Sequence, residues 1–450
     1  SALAMTAEGA RGETAEQMGK ALRFPDAARR TGGDTRLLPW NTALIHAGMS
    51  ALNGRFVTKP LAPQLRDKIA ALRNELDAAN KEANSAGDDW QKRNAAAQTS
   101  QSIAGELNTL LPQVSQYELR VANALYGEKT YPFQQGYMDT INKFYGSGAV
   151  VPVDFKRNFE AARRQINTWA EDTTSKRIRD LIAQGGLDRY TRLVLCNAIY
   201  FKGEWAIPFD EGATKQEDFL AGAGRRVRVP MMHKDGLGGA RYGAFNADCS
   251  FFKTPHTVPM GGKPMLYPNK DGFLLVELPY KGRKLSMVAI VPQDAGGLGV
   301  LEKKLTGANL RTWLGRLEDR AVNVQLPGFK LETDYQDMKT TLKSMGMVLA
   351  FVSSDEPDGA QFDGMCASRD PSLKLYISKV FHKAFVEVNE KGTEAAAATA
   401  VIMGAPACAP MPMDEPFTPT FRADKPFLFA IRDVKTGTIL FLGRIIDPTR

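Results

Sequence analysis

Apolar residues follow a helical spacing in the first part of the chain. Two stripes share this spacing: Leu65, Ile69, Leu72 and Leu76 form the first, and Ile103, Leu107, Leu110 and Leu111 form the second. Such stripes, with charged residues between them, predict amphipathic helices. The Ser-Ala-Gly-Asp run at 85–88 predicts that one helix ends there and a second helix begins. We therefore predict an antiparallel helical hairpin within region 31–116, which either packs on the body of the protein or recruits a partner.

From Arg192 onward, the pattern changes to apolar runs separated by short turns, which is typical of strands. Helical patterns dominate the chain up to Ala183. A helical part followed by a strand-rich part predicts the α+β class. Residues 236–270 are rich in glycine, proline and aromatic residues, and predict an extended surface loop between two strands.

The composition is that of an ordinary globular protein. The chain has 450 residues, of which 43% are hydrophobic, and a formal net charge of +8. No apolar run approaches the roughly 18 residues that a membrane span needs. Lysine and arginine are scattered along the chain, which favours general solubility over binding to a polyanion, the alternative. We predict no nucleic-acid partner and no membrane partner.

Cysteine and histidine give little indication of catalysis or metal binding. The four cysteines are Cys196, Cys249, Cys366 and Cys408, and the four histidines are His46, His233, His256 and His382. The absence of CxxC and HExxH patterns excludes the common zinc motifs, so we predict no metal site and no cofactor. Cys196 lies in an apolar run and is most simply a buried core thiol. A cysteine–histidine hydrolase built from Cys196 and His382 is an alternative.

The segment Glu387–Met403, EVNEKGTEAAAATAVIM, has the pattern of a strand that can move. Alanine is the best helix former, but this segment lies between sheet elements and leads into a proline-rich loop. Side chains alternate between the two faces of a strand. If Thr393 faces the core, Glu394 faces solvent, and the other inward positions are all uncharged: Ala395, Ala397, Thr399, Val401 and Met403. Such a segment can slide between two strands without burying a charge. An edge strand or a flexible alanine linker is the alternative.

Ordered blocks along nearly the whole chain resemble the serpins, a large family of protease inhibitors. Besides the alanine-rich segment, the blocks are GARG at 9–12, VANALY at 121–126, INTW at 166–169, NAIYFKG at 197–203, FRADKPFLF at 421–429 and GRIIDP at 443–448. The NAIYFKG block, followed by Trp205 and Phe209, is the family's most specific internal signature. Regions 31–116 and 236–270 exceed the family's usual length. We expect one serpin-like domain over 1–450, truncated at its N-terminus because it begins inside the family's second helix.

The resemblance implies both a fold and a mechanism. The fold has a large central mixed β-sheet with surrounding helices, further sheets, and an exposed reactive-centre loop at 390–420. The mechanism is that of an irreversible, single-use inhibitor, which offers the loop to a serine protease, forms a covalent complex with it and inserts the cleaved loop into the central sheet. The resemblance also implies that the protein is not an enzyme, is a monomer, and acts outside the cell or in the cell envelope. The alternative is a non-inhibitory serpin acting as a chaperone, carrier or storage protein, although such members tend to carry bulky, charged or proline residues in the hinge.

The resemblance also assigns residues to parts of this mechanism. The hinge comprises Glu390, Gly392, Thr393, Glu394, Ala395, Ala396, Ala397, Ala398 and Thr399. Asn197 and His382 match the shutter, the polar cluster beneath the opening strands. Trp205 matches the tryptophan of the breach, the top of the sheet where the loop first enters. Glu390 usually pairs with a lysine that follows the proline of a neighbouring strand, but Gly328 occupies that position here. We therefore expect a looser breach.

The bond that a protease would cut lies in the proline-rich loop. No lysine or arginine occurs between 392 and 421, so a trypsin-like enzyme has no site. We predict cleavage at Ala407–Cys408, because a small residue before the cut suits an elastase-like pocket. Two alternatives are Pro406–Ala407, where the family's usual count falls, and Met403–Gly404, which suits a chymotrypsin- or subtilisin-like enzyme. The Pro406–Ala407 bond is a poor site for most serine proteases, because the proline ring fixes the backbone and removes a hydrogen-bond donor.

Overall fold

The structure is a computed structural model that describes residues 2–56, 63–85, 89–110, 117–146, 148–259, 266–335, 337–353, 356, 358–366, 370, 374–393 and 414–449. The helices in these ranges, α1 to α10, are Ala2–Gly9, Gly12–Ala21, Thr42–Phe56, Pro63–Ser85, Trp90–Leu110, Gln135–Tyr145, Phe155–Thr173, Leu298–Lys304, Gly307–Arg316 and Lys339–Ser344. Within these ranges, no helix combines the length and the apolar character that crossing a membrane requires.

The strands complete the α+β class that the sequence predicts. In chain order, β1 to β19 are Tyr117–Glu128, Val150–Val153, Leu193–Glu204, Lys215–Leu220, Arg226–Leu237, Arg241–Phe245, Phe251–Phe252, Thr257–Pro259, Phe273–Pro279, Leu285–Pro292, Glu318–Asp319, Val322–Pro327, Phe329–Tyr335, Lys379–Asn389, Gly392–Thr393, Asp414–Pro416, Thr420–Arg422, Phe427–Asp433 and Ile439–Ile445. One sheet has the strand order β13-β14-β15-β3-β1-β2.

The chain folds into two compact units. The first consists of Ser1–Thr58, Leu119–Phe201 and Glu332–Phe385, and the second of Lys59–Glu118, Lys202–Leu331 and Val386–Arg450. In the first unit, β1 pairs with β2 in parallel, and residues 379–385 of β14 pair in parallel with residues 194–200 of β3. Helix α7 covers this part of the sheet, since its Ile166 and Ala170 join Cys196 and Phe381 in one buried cluster.

The second unit contains two further large sheets. One has the order β11-β6-β9-β10-β18-β19, with β7 paired to β6, and the other has the order β17-β12-β5-β4. All eight residues of β10 are buried, as expected for a central strand. The short strand β15 also belongs to this unit, where it pairs antiparallel with the end of β14 and with the end of β3.

Helices α4 and α5 form an antiparallel pair within region 31–116. Apolar side chains from both helices share one seam: Leu65, Ile69, Leu72, Leu76, Ile103, Leu107 and Leu110. The ammonium group of Lys68 lies 2.8 Å from Glu106 across the pair. Leu111 of the second stripe lies outside the described residues. Because the two stripes face each other, the pair buries its own apolar faces.

Residues 236–270 contain sheet strands as well as loops. Strand β6 pairs with β9, and its Tyr242 and Phe245 are buried. Strand β8 pairs with β16 in a separate two-stranded sheet. The glycine, proline and aromatic content that predicts a surface loop therefore accompanies short strands, whose length is too small for a clear alternation.

Candidate functional site

A tight turn joins β14 to β15 and brings the chain back on itself. The side-chain oxygen Oδ1 of Asn389 accepts hydrogen bonds from the backbone N–H groups of Lys391 and Gly392, at 3.1 and 3.2 Å. This arrangement is the turn that asparagine favours. The indole N–H of Trp205 donates to the carbonyl of Asn389 at 3.0 Å, and the Trp205 backbone N–H donates to the carbonyl of Lys391 at 2.9 Å. Trp205, which directly follows β3, therefore holds the turn.

Gly392 lies where the backbones of three strands meet. It pairs with Asn389 of β14 on one side and with Glu204 of β3 on the other. Its φ is +150°, and a Cβ atom at this position would lie 2.1 Å from the carbonyl oxygen of Gly203. Real Cβ contacts are never this short, so the position accepts only glycine without a shift of the backbone.

Thr393 points into the core from the second residue of β15. Its side chain is fully buried, and its hydroxyl lies 2.7 Å from the hydroxyl of Tyr280. The Tyr280 ring stacks on Trp205, with ring centroids 4.7 Å apart and planes within 7°. Burial raises the pKa of Tyr280, so both hydroxyls keep their protons and one donates to the other. Thr393, the first inward position of the predicted hinge, thus lies in a packed site that has a polar partner for its hydroxyl group.

The lysine that usually pairs with Glu390 is absent, and other groups contact the turn. The hydroxyl of Thr214 donates to Glu390 Oε1 at 2.7 Å. The ammonium group of Lys391 lies 2.9 Å from Glu211 Oε1. Gly328 offers no side chain there, and its N–H donates to the carbonyl of Pro230. At the predicted breach, Glu211 and Thr214 thus contact the turn where the resemblance implies an ion pair of Glu390, and the half-exposed Lys391–Glu211 pair adds at most about 1 kcal/mol.

The two residues that the resemblance assigns to the shutter lie side by side in the first unit. His382 of β14 is directly opposite Asn197 of β3, and its Nδ1 lies 2.6 Å from Asn197 Oδ1. The Asn197 amide donates in turn to Asn123 Oδ1 of β1 at 2.8 Å. An amide oxygen only accepts, so the proton of the first bond is on His382 Nδ1. Burial lowers the pKa of His382, which favours the neutral ring.

Cys196 and His382 do not form a catalytic pair. Cys196 is opposite Phe381 and packs with it in the cluster under α7, whereas His382 is opposite Asn197. Neighbouring residues of a strand point to opposite faces, so the thiol and the imidazole lie on different sides of the sheet. Burial also raises the pKa of the Cys196 thiol, which disfavours the nucleophilic thiolate.

The structure covers only part of the predicted site. The hinge residues Glu394 to Thr399 and the residues of the three candidate bonds lie outside the described residues: Met403, Gly404, Pro406, Ala407 and Cys408. Two contacts in the breach were not predicted. Tyr280 directly follows β9, and the need of a buried tyrosine hydroxyl for a partner is the signal that points to it. Thr214 has no such signal, because it lies in a half-buried connection before β4 without periodicity.

Comparison with known proteins identifies the family. The family described as "Serpin (serine protease inhibitor)" matches residues 1–448. Serpin B3 of Homo sapiens is 40% identical over 335 residues, which are 74% of this chain and 75% of that protein. Leukocyte elastase inhibitor A of Rattus norvegicus is 39% identical over 338 residues, 74% of this chain and 78% of that protein. The crystal structure of uncleaved ovalbumin has a TM-score of 0.66 at 24% identity, over 99% of this chain and 90% of that one.

These comparisons confirm the predicted resemblance and the fold. The structural likeness supports the fold alone, because its sequence identity is low, whereas the sequence relatives and the family match extend over most of the chain. The relatives include proteins named as inhibitors of leukocyte elastase. This chain belongs to the serpin family.

Proposed function

We propose that this protein is a single-use inhibitor that traps a serine protease by inserting its cleaved loop into the sheet between β14 and β3. The observation that carries the proposal is the position of β15. Gly392 and Thr393 already pair with β14 on one side and β3 on the other. Strand insertion therefore needs no new starting point, and proceeds by adding residues to an existing two-residue strand.

The register of β15 fixes where each later residue would go. Thr393 is opposite Gly203 of β3 and Val388 of β14. Continuing both registers by six residues places Thr399 opposite Asn197 and His382. Directly opposed residues share a face of the sheet, so the Thr399 hydroxyl would enter between the two shutter side chains.

Insertion to this depth exchanges one set of hydrogen bonds for another. Residues 379–385 of β14 now pair directly with residues 194–200 of β3, so these strands must separate, and the His382–Asn197 bond must break. The new strand replaces one ladder by two, and each net hydrogen bond contributes about 0.5–1.5 kcal/mol. A hydroxyl both donates and accepts, so Thr399 supplies a partner to each shutter residue.

The reaction that would trap the enzyme is an interrupted proteolysis. The protease serine attacks the carbonyl carbon of the residue before the cut, the amide bond breaks, and the new amine leaves with the C-terminal part of the chain. The loop then remains attached to the protease through an ester, and insertion carries the enzyme away before water completes the second half-reaction. The inhibitor uses no catalytic residues of its own. We propose Ala407–Cys408 as the bond and an elastase-like enzyme as the target.

A covalent complex tests this function directly. The protein is incubated with an elastase-like, a subtilisin-like, a chymotrypsin-like and a trypsin-like protease, and each mixture is run on a denaturing gel. The expected result is an SDS-stable band with the mass of inhibitor plus protease for at least one of the first three enzymes, and none for trypsin. If the first three cut the loop without forming such a band, the protein is a substrate, and the non-inhibitory alternative replaces the proposal.

A further inference from the structure

Residues 414–420 form the far end of the loop. They are bound by region 236–270, one of the two regions that we expect to exceed the family's usual length. Strand β16, Asp414–Pro416, pairs antiparallel with β8, Thr257–Pro259, which belongs to region 236–270. Phe417 extends the pairing, because its N–H donates to the carbonyl of His256 at 2.8 Å. Residues 414–420 are therefore attached to this region before they reach the four-stranded sheet, where Thr420 pairs with Asn323 of β12.

The prolines of this small sheet lie where they do not weaken it. The Phe417 N–H donates to the His256 carbonyl, so this pair is a bonded one, and bonded and non-bonded pairs alternate along an antiparallel ladder. The pairs Pro416–Thr257 and Asp414–Pro259 consequently fall at positions where proline loses no bond. This placement indicates a built strand pair rather than a chance approach of two loops.

Two side chains bind the same segment. The Arg320 guanidinium donates to the carbonyl of Phe417 at 2.9 Å and to the carbonyls of Thr254 and Pro255 at 3.2 and 2.9 Å, and its side chain is only 5% exposed. The Tyr267 hydroxyl accepts from the backbone N–H of Thr420 at 3.1 Å. Arg320 thus joins, through one buried charge, the residues that precede β8 to the residue that follows β16.

We propose that β8, Tyr267 and Arg320 form a clamp that prevents the uncleaved loop from inserting fully. The proposal rests on the proposed function, because it concerns the same movement of β15. The loop is anchored at Thr393 at one end and at Asp414 at the other. Only residues 394–413 lie between these anchors, so the clamp controls how much chain the intact loop can release.

Chain length is the physical basis of the clamp. Each residue that joins β15 uses about 3.3 Å of chain and moves the leading end farther from the start of the strand. An intact loop can insert only as far as the remaining residues still reach the second anchor. Release of 414–420 would add roughly 20 Å of chain. After cleavage the two anchors are no longer connected, so the clamp opposes insertion only while the loop is intact.

The clamp is tested with the full chain and without a protease. Wild type, Arg320→Ala and Tyr267→Phe are incubated below their melting transitions, with Ser250→Ala as a control in the same region. The Ser250 hydroxyl accepts from the Asn246 amide and donates to Asp248 Oδ1, and both bonds lie within one turn, away from the clamp residues. At intervals, the intact mass, the melting temperature and the remaining capacity to form an SDS-stable complex are measured. Arg320→Lys, which keeps the positive charge, tests for partial rescue of the slow conversion.

The two clamp variants should convert faster to a form with unbroken chain, raised melting temperature and no inhibitory capacity. The expected acceleration is about tenfold or more for Arg320→Ala, which loses charge-assisted bonds, and smaller for Tyr267→Phe, which loses one hydroxyl. Wild type and Ser250→Ala should convert at equal, slow rates. If wild type inhibits but the clamp variants convert no faster than Ser250→Ala, the clamp is refuted. If wild type forms no complex and gains no stability after loop cleavage, the proposed function itself fails.

Discussion

Replacing Thr393 by arginine should turn the inhibitor into a substrate. Thr393 is fully buried, and its hydroxyl bonds to Tyr280, whose ring is stacked on Trp205 at 4.7 Å. The packed side chains around Thr393 leave no room for a guanidinium, and its hydrogen-bond partner Tyr280 has no carboxylate to pair with the charge. Either β15 leaves the sheet, or the chain buries an unpaired charge.

The magnitude follows from the burial. An uncompensated buried charge costs about 3–5 kcal/mol, and each 1.4 kcal/mol corresponds to a factor of ten in rate. If this cost applies to the step in which residue 393 returns to its site, insertion slows by roughly a hundredfold or more, while hydrolysis of the acyl-enzyme keeps its rate. The cleaved loop is then released before the enzyme is trapped.

The assay measures the stoichiometry of inhibition, that is, the number of inhibitor molecules consumed for each protease molecule inactivated. Glu394→Arg is the matched control, because it adds the same side chain at the next position, which the alternation directs to solvent. We expect a large rise in consumption for Thr393→Arg and little change for Glu394→Arg. If Thr393→Arg traps the protease at the wild-type ratio, the inference that residue 393 must be buried for inhibition is wrong.

Three further predictions concern neighbouring features. Gly392→Ala should also raise consumption, because its methyl group would meet the backbone of β3, whereas Gly315→Ala in α9, whose methyl group meets nothing within 4 Å and whose φ is not positive, should not; equal effects would contradict the steric reason. Mass spectrometry of the peptide released by an elastase-like enzyme should find a fragment that begins at Cys408, and one that begins at Gly404 would move the bond. Because burial lowers the pKa of His382 below 6.5, the unfolded chain takes up this proton first as pH falls, so the free energy of unfolding should decrease below about pH 6.5. His382→Gln should flatten that decrease, and an unchanged pH profile would exclude His382 as its source.

The fold class was predictable because it depends on patterns that extend over many residues. The helical stripe of Leu65 to Leu76 and the apolar runs after Arg192 each involve a full element, so a single unusual residue does not obscure them. His382 and Asn197 came from the resemblance, and the parallel register of β14 and β3 places them opposite each other.

The contacts of the breach and of the loop's far end were not predictable in the same way. Thr214 and Glu390 meet across 176 positions of sequence, and neither belongs to a periodic segment. Strand β8 has three residues and ends in proline, which is too short for an alternation to show. Both features depend on which loops the completed sheets bring together, and local pattern does not contain that information.

The melting temperature before and after cleavage of the loop tests the central claim most directly. Limited proteolysis within residues 394–413 releases one end of the loop, and circular dichroism then follows unfolding of the intact and the cleaved protein. Insertion predicts a clear rise in the melting temperature of the cleaved wild type, because a new strand joins β14 and β3, and a smaller rise for cleaved Thr393→Arg. Equal melting temperatures for intact and cleaved wild type would contradict insertion and, with it, the proposed inhibitory mechanism.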